Sequence, residues 1–280
     1  MYLQLLVLGA VWGASFLFMR IAAPEFGPLA LVLVRTGVAA LCLIPFLFYK
    51  GEFKQVLGST LVFLWLGAIT VALPFTLFSY ASLYLNAGST SLLNATTPMF
   101  GALIAWLWLK EPITRYTVVG VLLGFAGVFV ISASKKGGFA FRVLPVLATL
   151  LATACYAYGS CFARKFFSGF RAATIAAGGQ LGAALCLLPF GLYYWPQQNP
   201  SALAWLSTIL LAVFCTALAL ILFFHLLKKV GVSRAISVTY LTPVFGILWG
   251  VVFLSESPGL SLIIGGVLVL FGVTLTNLNR

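Results

Sequence analysis

The sequence has no Asp, four Glu and one His in 280 residues, and only 7% of it is charged. Ordinary globular chains are about 25% charged, so four Glu with 16 Lys and Arg cannot furnish a water-facing surface for a chain of this length. The same scarcity narrows the chemistry. Hydrolases, nucleases and metal enzymes need paired acids or a cluster of His, Cys and carboxylates, and there is little here to build one. The five cysteines, Cys42, Cys155, Cys161, Cys186 and Cys215, contain no CxxC pair and all lie in apolar stretches. They read as small buried hydrophobes. No cofactor or metal is expected. The N-terminus enters an apolar segment with no basic run before it, which reads as a first transmembrane helix and not as a cleaved signal.

What is abundant is apolar. The chain is 62% hydrophobic and 15% aromatic, with a mean hydropathy of +1.14. A disordered chain or a disulfide scaffold would not be this apolar, which leaves a polytopic membrane protein. Ten segments emerge: 2–21, 27–49, 57–84, 88–109, 115–133, 142–163, 172–194, 202–227, 231–254 and 259–278. Each is long enough to cross a hydrocarbon core of ~30 Å as a helix. The net charge of +12 does not point to nucleic acid, because the basic residues sit between apolar segments, where they orient a membrane protein. With the N-terminus inside, the inside loops hold Lys50, Lys54, Lys110, Arg115, Arg164, Lys165, Arg171, Lys228, Lys229, Arg234 and Arg280. The outside loops hold Arg20, Lys135, Lys136 and Arg142. Eleven against four places both termini in the cytoplasm, with the three central basic residues running against the rule.

The chain also repeats. Residues 97–128 lie on 242–273 at an offset of 145: Thr97 meets Thr242, Pro98 meets Pro243, Glu111 meets Glu256, and Gly120 and Gly127 meet Gly265 and Gly272. Residues 39–46, AALCLIPF, lie on 183–190, AALCLLPF, at an offset of 144. The expected organisation is a first five-helix repeat over 1–135, a central loop over 136–140 and a second repeat over 141–280. Five is odd, so the second unit enters the bilayer from the opposite side. The fold class is therefore an all-α membrane protein of ten helices in two inverted-topology repeats. That build suits alternating access around a midplane site. Gly120 and Gly127, like Gly265 and Gly272, are spaced to let helices 5 and 10 pack closely.

Several of these residues resemble the EamA-type family of the drug/metabolite transporter superfamily. They are Trp12-Gly13, Pro28, Arg35, Tyr80-Ala81 and Tyr84, then Ala87-Gly88 through Ser91-Leu92-Leu93 to Pro98, then Leu109-Lys110-Glu111-Pro112-Ile113-Thr114. Pro243-Val244-Phe245-Gly246 and Leu254-Ser255-Glu256 are a fainter second copy. The resemblance implies a central cavity lined by helices 1, 3, 4, 6, 8 and 9. It also implies export or exchange of small metabolites in a bacterial inner membrane, most like exporters of aromatic and other neutral amino acids.

Candidate substrate-binding residues follow from where hydroxyls, amides and aromatic faces fall on those helices: Trp12, Ser15, Tyr80, Tyr84, Asn94, Tyr158, His225 and Tyr240, with Tyr156 and Ser160 also on helix 6. Such groups can hold a zwitterion with an apolar body without burying a net protein charge. Pro98 and Pro243, matched in the repeat, are candidate gating residues, because proline removes a backbone donor and kinks a helix. Arg35 lies inside a helix, where a charge is costly. It has two readings, contact with a carboxylate substrate or a structural role with Glu25 as partner. Every Glu falls at a loop or helix end, which favours facilitated diffusion or exchange over obligatory proton antiport. The partners expected are a small-molecule substrate and membrane lipid, and one chain encloses a full pathway, so a monomer suffices. Two alternatives stand beside this reading: an antiporter of nucleotide sugars or phosphorylated metabolites, which needs more cavity cations, and an intramembrane lipid-modifying enzyme, which needs an acid partner for His225.

Overall fold

The structure, a computed structural model, describes residues 2–132, 139–230 and 238–277. Residues 136–138 of the expected central loop lie outside that set, as do Lys135, Lys136, Arg234 and Arg280. The described residues are helical with short connections, and no strand occurs among them. In chain order the α-helices are α1 (Tyr2–Tyr49), α2 (Phe53–Gly58), α3 (Thr60–Gly67), α4 (Leu73–Ser82), α5 (Ala87–Asn94), α6 (Thr97–Leu109) and α7 (Arg115–Ser132). They continue as α8 (Phe139–Phe166), α9 (Ala172–Tyr193), α10 (Ala202–Ala212), α11 (Ala219–Val230), α12 (Val238–Leu254) and α13 (Leu260–Asn277).

Among the described residues seven helical stretches are long and apolar enough to cross a membrane, and Val238–Leu254 and Leu260–Thr276 are shorter apolar helices. One of the seven, α1, has 48 residues, which at 1.5 Å per residue is about 72 Å and more than twice a hydrocarbon core. Gly27 breaks it, with φ 70° and ψ 159°, and Pro24 and Pro28 flank the break. Glycine adopts that left-handed φ at little cost, whereas a side chain would be strained. The element therefore consists of two arms, 2–26 and 28–49.

Two irregularities recur at the spacing of the sequence repeat. A π-helical turn joins α3 to α4 at Ala68–Ala72, and another joins α10 to α11 at Val213–Leu218. Each widens the helix by an i→i+5 turn, a feature frequent at functional sites. Their first residues are 145 apart. Likewise α6 ends on Lys110 at φ 55° and α12 ends on Ser255 at φ 54°, again 145 apart. The N–H of Glu111 then returns to the Ala105 carbonyl at 3.2 Å, and that of Glu256 to the Gly250 carbonyl at 3.1 Å. Apolar composition alone would not place such breaks in register.

The helices α7 and α13 meet backbone to backbone, as the glycine spacing anticipates. A Cβ on Gly120 would stand 2.5 Å from the Gly272 carbonyl oxygen, and one on Gly127 would stand 2.6 Å from that of Gly265. The helices are thus antiparallel. Since Gly120 pairs with Gly265 in the repeat and Gly127 with Gly272, these two contacts are one contact seen from each half. In lipid such close packing replaces the hydrophobic drive.

The main core cluster, including Phe16, Met19, Phe26, Leu31, Phe78 and Leu211, gathers α1, α4, α8 and α10. Cys155, Cys161 and Cys215 are buried as anticipated, but Cys186 is half-buried and Cys42 is exposed. Cys42 sits on the outer face of the second α1 arm, beside exposed Leu41, so the expectation of burial fails there: an apolar sequence context in a membrane helix does not distinguish protein-facing from outward-facing positions.

The seam makes a direct prediction. Gly127→Ala forces two backbones apart, and overpacking of this kind costs about 1–3 kcal/mol. Gly101→Ala adds a methyl that meets nothing within 4 Å. In thermal unfolding of the detergent-solubilised protein, Gly127→Ala lowers the midpoint and Gly101→Ala does not; equal midpoints would contradict the seam.

Candidate functional site

Arg35 in the second α1 arm is only 5% exposed. Its Nε donates to Thr216 Oγ1 at 3.0 Å, and its Nη1 lies 3.7 Å from Met19 Sδ. The guanidinium carbon stands 3.5 Å from the centroid of the Phe75 ring. Thr216 belongs to the second π turn, and its own hydroxyl donates to the Leu211 carbonyl at 2.9 Å, five residues back. The wider turn thus holds the threonine oxygen toward Arg35. Tyr156 of α8 stacks on Phe78 at 5.7 Å and meets Phe75 edge-on at 6.2 Å, close enough to interact electrostatically with Arg35, as is Cys215. Arg35, Met19 and Phe75 come from the N-terminal half, and Tyr156, Cys215 and Thr216 from the C-terminal half.

Some of the polar groups at hand have no partner. Ser79 Oγ is fully buried and unbonded, four residues along α4 from Phe75 and so on the same face. Asn94 Oδ1, at the end of α5, is also buried and unbonded. Buried polar groups are usually satisfied, so such orphans mark places where a ligand or water completes the bonding.

The sequence-derived residues distribute unevenly around this centre. Ser15 is buried and lies close to Cys215, which brings it to the Arg35 region. Tyr80 and Tyr84 do share a face, with rings 5.2 Å apart, but Tyr84 is 46% exposed at the end of the helix. Trp12 packs on Phe223 at 5.2 Å. Tyr158 stacks flat on Trp108 at 5.0 Å, turned to the opposite side of α8 from Tyr156. Tyr240 packs against the cluster of Leu93, Ala95 and Met99. His225 is exposed. Pro98 opens α6, and Pro243 is buried within α12.

One expectation is overturned. Glu25 is not the partner of Arg35: it accepts from Ser201 N–H at 2.5 Å and Ser201 Oγ at 2.8 Å. It thereby holds the N-terminus of α10, where the helix dipole favours a negative charge, while Arg35 lies two turns past the Gly27 break. Phe75 and Thr216 escaped the residue-level reading, whereas Tyr156 stood beside Tyr158 among the helix 6 candidates. Thr149, Thr153 and Tyr156, spaced four and three, mark the inner face of α8, and that periodicity is the signal for Tyr156.

The other carboxylates are placed as firmly. Glu52 bonds Arg171 at 3.0 Å and the Thr174 hydroxyl. Glu111 pairs with Arg164. Glu256 accepts the Ala87 N–H at the start of α5 at 3.0 Å. All four Glu thus join one half of the chain to the other. Arg20 donates to the Ser82 and Leu83 carbonyls at 2.6 and 2.9 Å and caps α4. Separately, a cavity of about 270 Å³ lies between α1, the second π turn and α12, lined by apolar residues including Ala14, Phe214 and Trp249.

Two stretches, residues 1–133 and 143–278, match the EamA-like transporter family. The chain is 29% identical over 280 residues to the uncharacterized transporter YvbV of Bacillus subtilis (strain 168), covering 98% of this chain and 90% of that one. It is 25% identical over 267 residues to a probable terminal-alkyne amino-acid exporter of Streptantibioticus cattleyicolor, covering 95% of this chain and 89% of that one. A solved crystal structure superposes with a TM-score of 0.70 at 20% identity, covering 98% of this chain and 95% of the other, a likeness of fold.

Tyr156 and Tyr158 separate site from scaffold. Tyr156→Ala is expected to cut the transport rate at least about tenfold. Tyr158→Ala removes a stacked pair worth roughly 0.5–1.5 kcal/mol beyond its buried area; it is expected to lower the unfolding midpoint while keeping most of the rate. Flux measured at equal reconstitution decides, and the reverse pattern would move the site to the Trp108 side.

Proposed function

The chain belongs to the EamA-like transporter family, and from that premise we propose that it exports small neutral amino acids, aromatic and other hydrophobic ones foremost, by alternating access between two inverted five-helix halves. It is a membrane transporter; the substrate, the ten-span count and the inversion are the proposal's content.

The observation that carries the reading is the matched pair of breaks. The two π turns and the two left-handed caps recur at one spacing, and the family matches the chain twice. The self-matching glycine seam joins antiparallel helices. Two like helices packed antiparallel are exchanged by a two-fold axis perpendicular to both, and for membrane spans that axis lies in the membrane plane. Counting the arms of α1 separately and adding α12 and α13 supports ten crossings. Such a pair of halves can close one gate while opening the other with little net change in energy.

The carboxylate clamps support gating. With both termini inside, Glu52 with Arg171 and Glu111 with Arg164 close the cytoplasmic face, and Glu25 on α10 and Glu256 on α5 close the outer one. Arg164 and Arg171 are more than half exposed, and exposed ion pairs are worth only about 0–1 kcal/mol. Clamps that weak open at low cost. Pro98 and Pro243, at equivalent places in α6 and α12, are the proposed flexing points.

The centre supports the substrate class. Aromatic walls from Phe75, Phe78 and Tyr156, with Ser15, Ser79 and Thr216 hydroxyls, suit an apolar side chain beside a polar head. The relative named as an amino-acid exporter points the same way. A nucleotide sugar needs several cations for its phosphates, and Arg20 is already committed to the end of α4. Proton antiport uses a carboxylate in the transport path, and all four Glu serve as clamps.

Counterflow tests the reading. Proteoliposomes preloaded with unlabelled phenylalanine are expected to accumulate labelled phenylalanine transiently, equally with and without a pH gradient, and His225→Ala is expected to do the same. Accumulation only under a pH gradient would overturn facilitation, and absence of flux from folded protein would remove phenylalanine as substrate.

A further inference from the structure

The chain contains four carboxylate side chains, and each is engaged away from Arg35: Glu25 on Ser201, Glu52 on Arg171, Glu111 on Arg164 and Glu256 on Ala87. Arg35 is nonetheless buried at the meeting of both halves. A guanidinium in that position is costly. A cation–π contact recovers part of that cost, and one hydroxyl recovers some more, but neither supplies a counter-charge. The Nη1 contact is to a thioether, a weak acceptor. Arg35 therefore rests on a set of replaceable partners.

The fold itself does not demand the charge. At the offset of 144 that aligns these helices, Arg35 corresponds to Gly179. A Cβ on Gly179 would stand 4.0 Å from Val71 Cγ2, and Val71 corresponds to Thr216 at the offset of 145. One half thus places a guanidinium against a hydroxyl, and the other places a bare glycine against a methyl. The same scaffold position packs without any polar pair, so the pair in the N-terminal half serves something besides packing.

We propose that Arg35 is the carboxylate anchor of the transport site: it receives one carboxylate group of the substrate through its guanidinium fork, next to Thr216, Ser79 and Tyr156. A carboxylate accepts two parallel N–H bonds from a guanidinium, which replaces the Met19 sulfur contact, and Ser79, unbonded and on the Phe75 face, donates a further bond. Phe75 keeps the cation in place while the site is empty. One positive charge in one half matches one negative charge, so the ligand class is a monocarboxylate or zwitterion and not a diphosphate. The inference deepens the transporter reading and rests on it, but it does not require that the substrate be an amino acid.

The test uses the full-length protein and analogues that each lack one group. Phenylalanine, phenylacetate (no amine) and 2-phenylethylamine (no carboxylate) are compared as stabilisers in thermal unfolding and as competitors in counterflow, with wild type and Arg35→Met. In wild type the two carboxylates are expected to act at concentrations at least tenfold below the amine. Arg35→Met is expected to unfold at a midpoint no lower than wild type, because it removes an unpaired buried charge, and to lose that tenfold preference. An amine that works as well as the carboxylates in wild type overturns the anchor, and so does no response to any carboxylate; neither result depends on the variant folding. A lower midpoint in Arg35→Met with the preference intact assigns Arg35 to packing. Phenylacetate acting through Arg35 while phenylalanine is ignored keeps the anchor and removes the amino-acid reading. Phenylalanine carried equally by wild type and Arg35→Met does the opposite.

Discussion

Backbone-to-backbone contact between α7 and α13, through Gly120, Gly127, Gly265 and Gly272, is the constraint on which the arrangement of the two halves depends. Inside a bilayer the hydrophobic effect does not push helices together, so small residues and close packing decide which helices stay paired. The seam uses equivalent glycines from both halves at equivalent places, and it is therefore satisfied only when the two helices run in opposite directions. Once that pair is set, the π turns, the left-handed caps and the central helices fall into matched positions. Glycines also bring α3 against α9, where a Cβ on Gly182 would collide with the Phe63 carbonyl oxygen, but the ends of the bundle are held differently. Four carboxylates, each crossing from one half to the other, hold the ends of the bundle with weak, partly exposed bonds. A tight seam beside weak end clamps is the mechanical basis for proposing that the halves rock about the seam.

The same scarcity of charge organises the centre. A chain with so few acids uses each one where a helix N-terminus or an arginine can meet it. The guanidinium of Arg35 stays without a partner of opposite sign, supported by an aromatic face, a threonine in an irregular turn and a sulfur. The wider turn at Val213–Leu218 lets Thr216 bond backward to Leu211 while its oxygen still accepts from Arg35, which links the irregularity to the chemistry.

Much of the fold was legible in the sequence because it rests on composition and spacing. Long apolar runs bounded by Gly, Pro and basic residues mark the helices within a few positions, and the Gly-x6-Gly spacing points to the α7–α13 seam. The exception is the first pair of segments, where α1 continues helically through 22–26 and turns only at Gly27. The centre was less legible, since it depends on which face of each helix turns inward. In a membrane helix both faces are apolar, so amphipathic periodicity is faint. Tyr156 and Tyr158 cannot be told apart by hydropathy, and only the hydroxyl spacing of α8 separates them. Arg35 and Glu25 look like partners because they are near in sequence, yet the helical rise between them and the demand of the α10 N-terminus send Glu25 elsewhere. The π turns leave no mark in composition at all.

In the proposed transporter the two halves face opposite sides of the membrane. Lys50, beyond the second arm of α1, and Gln197, beyond α9, are exposed at the corresponding ends of equivalent helices. Single cysteines at these two positions, read in intact cells with a membrane-impermeant maleimide against the unmodified protein, report the two orientations separately. Gln197→Cys is expected to be labelled from outside and Lys50→Cys only after the membrane is opened. Labelling of both positions from the same side would contradict the opposed orientation.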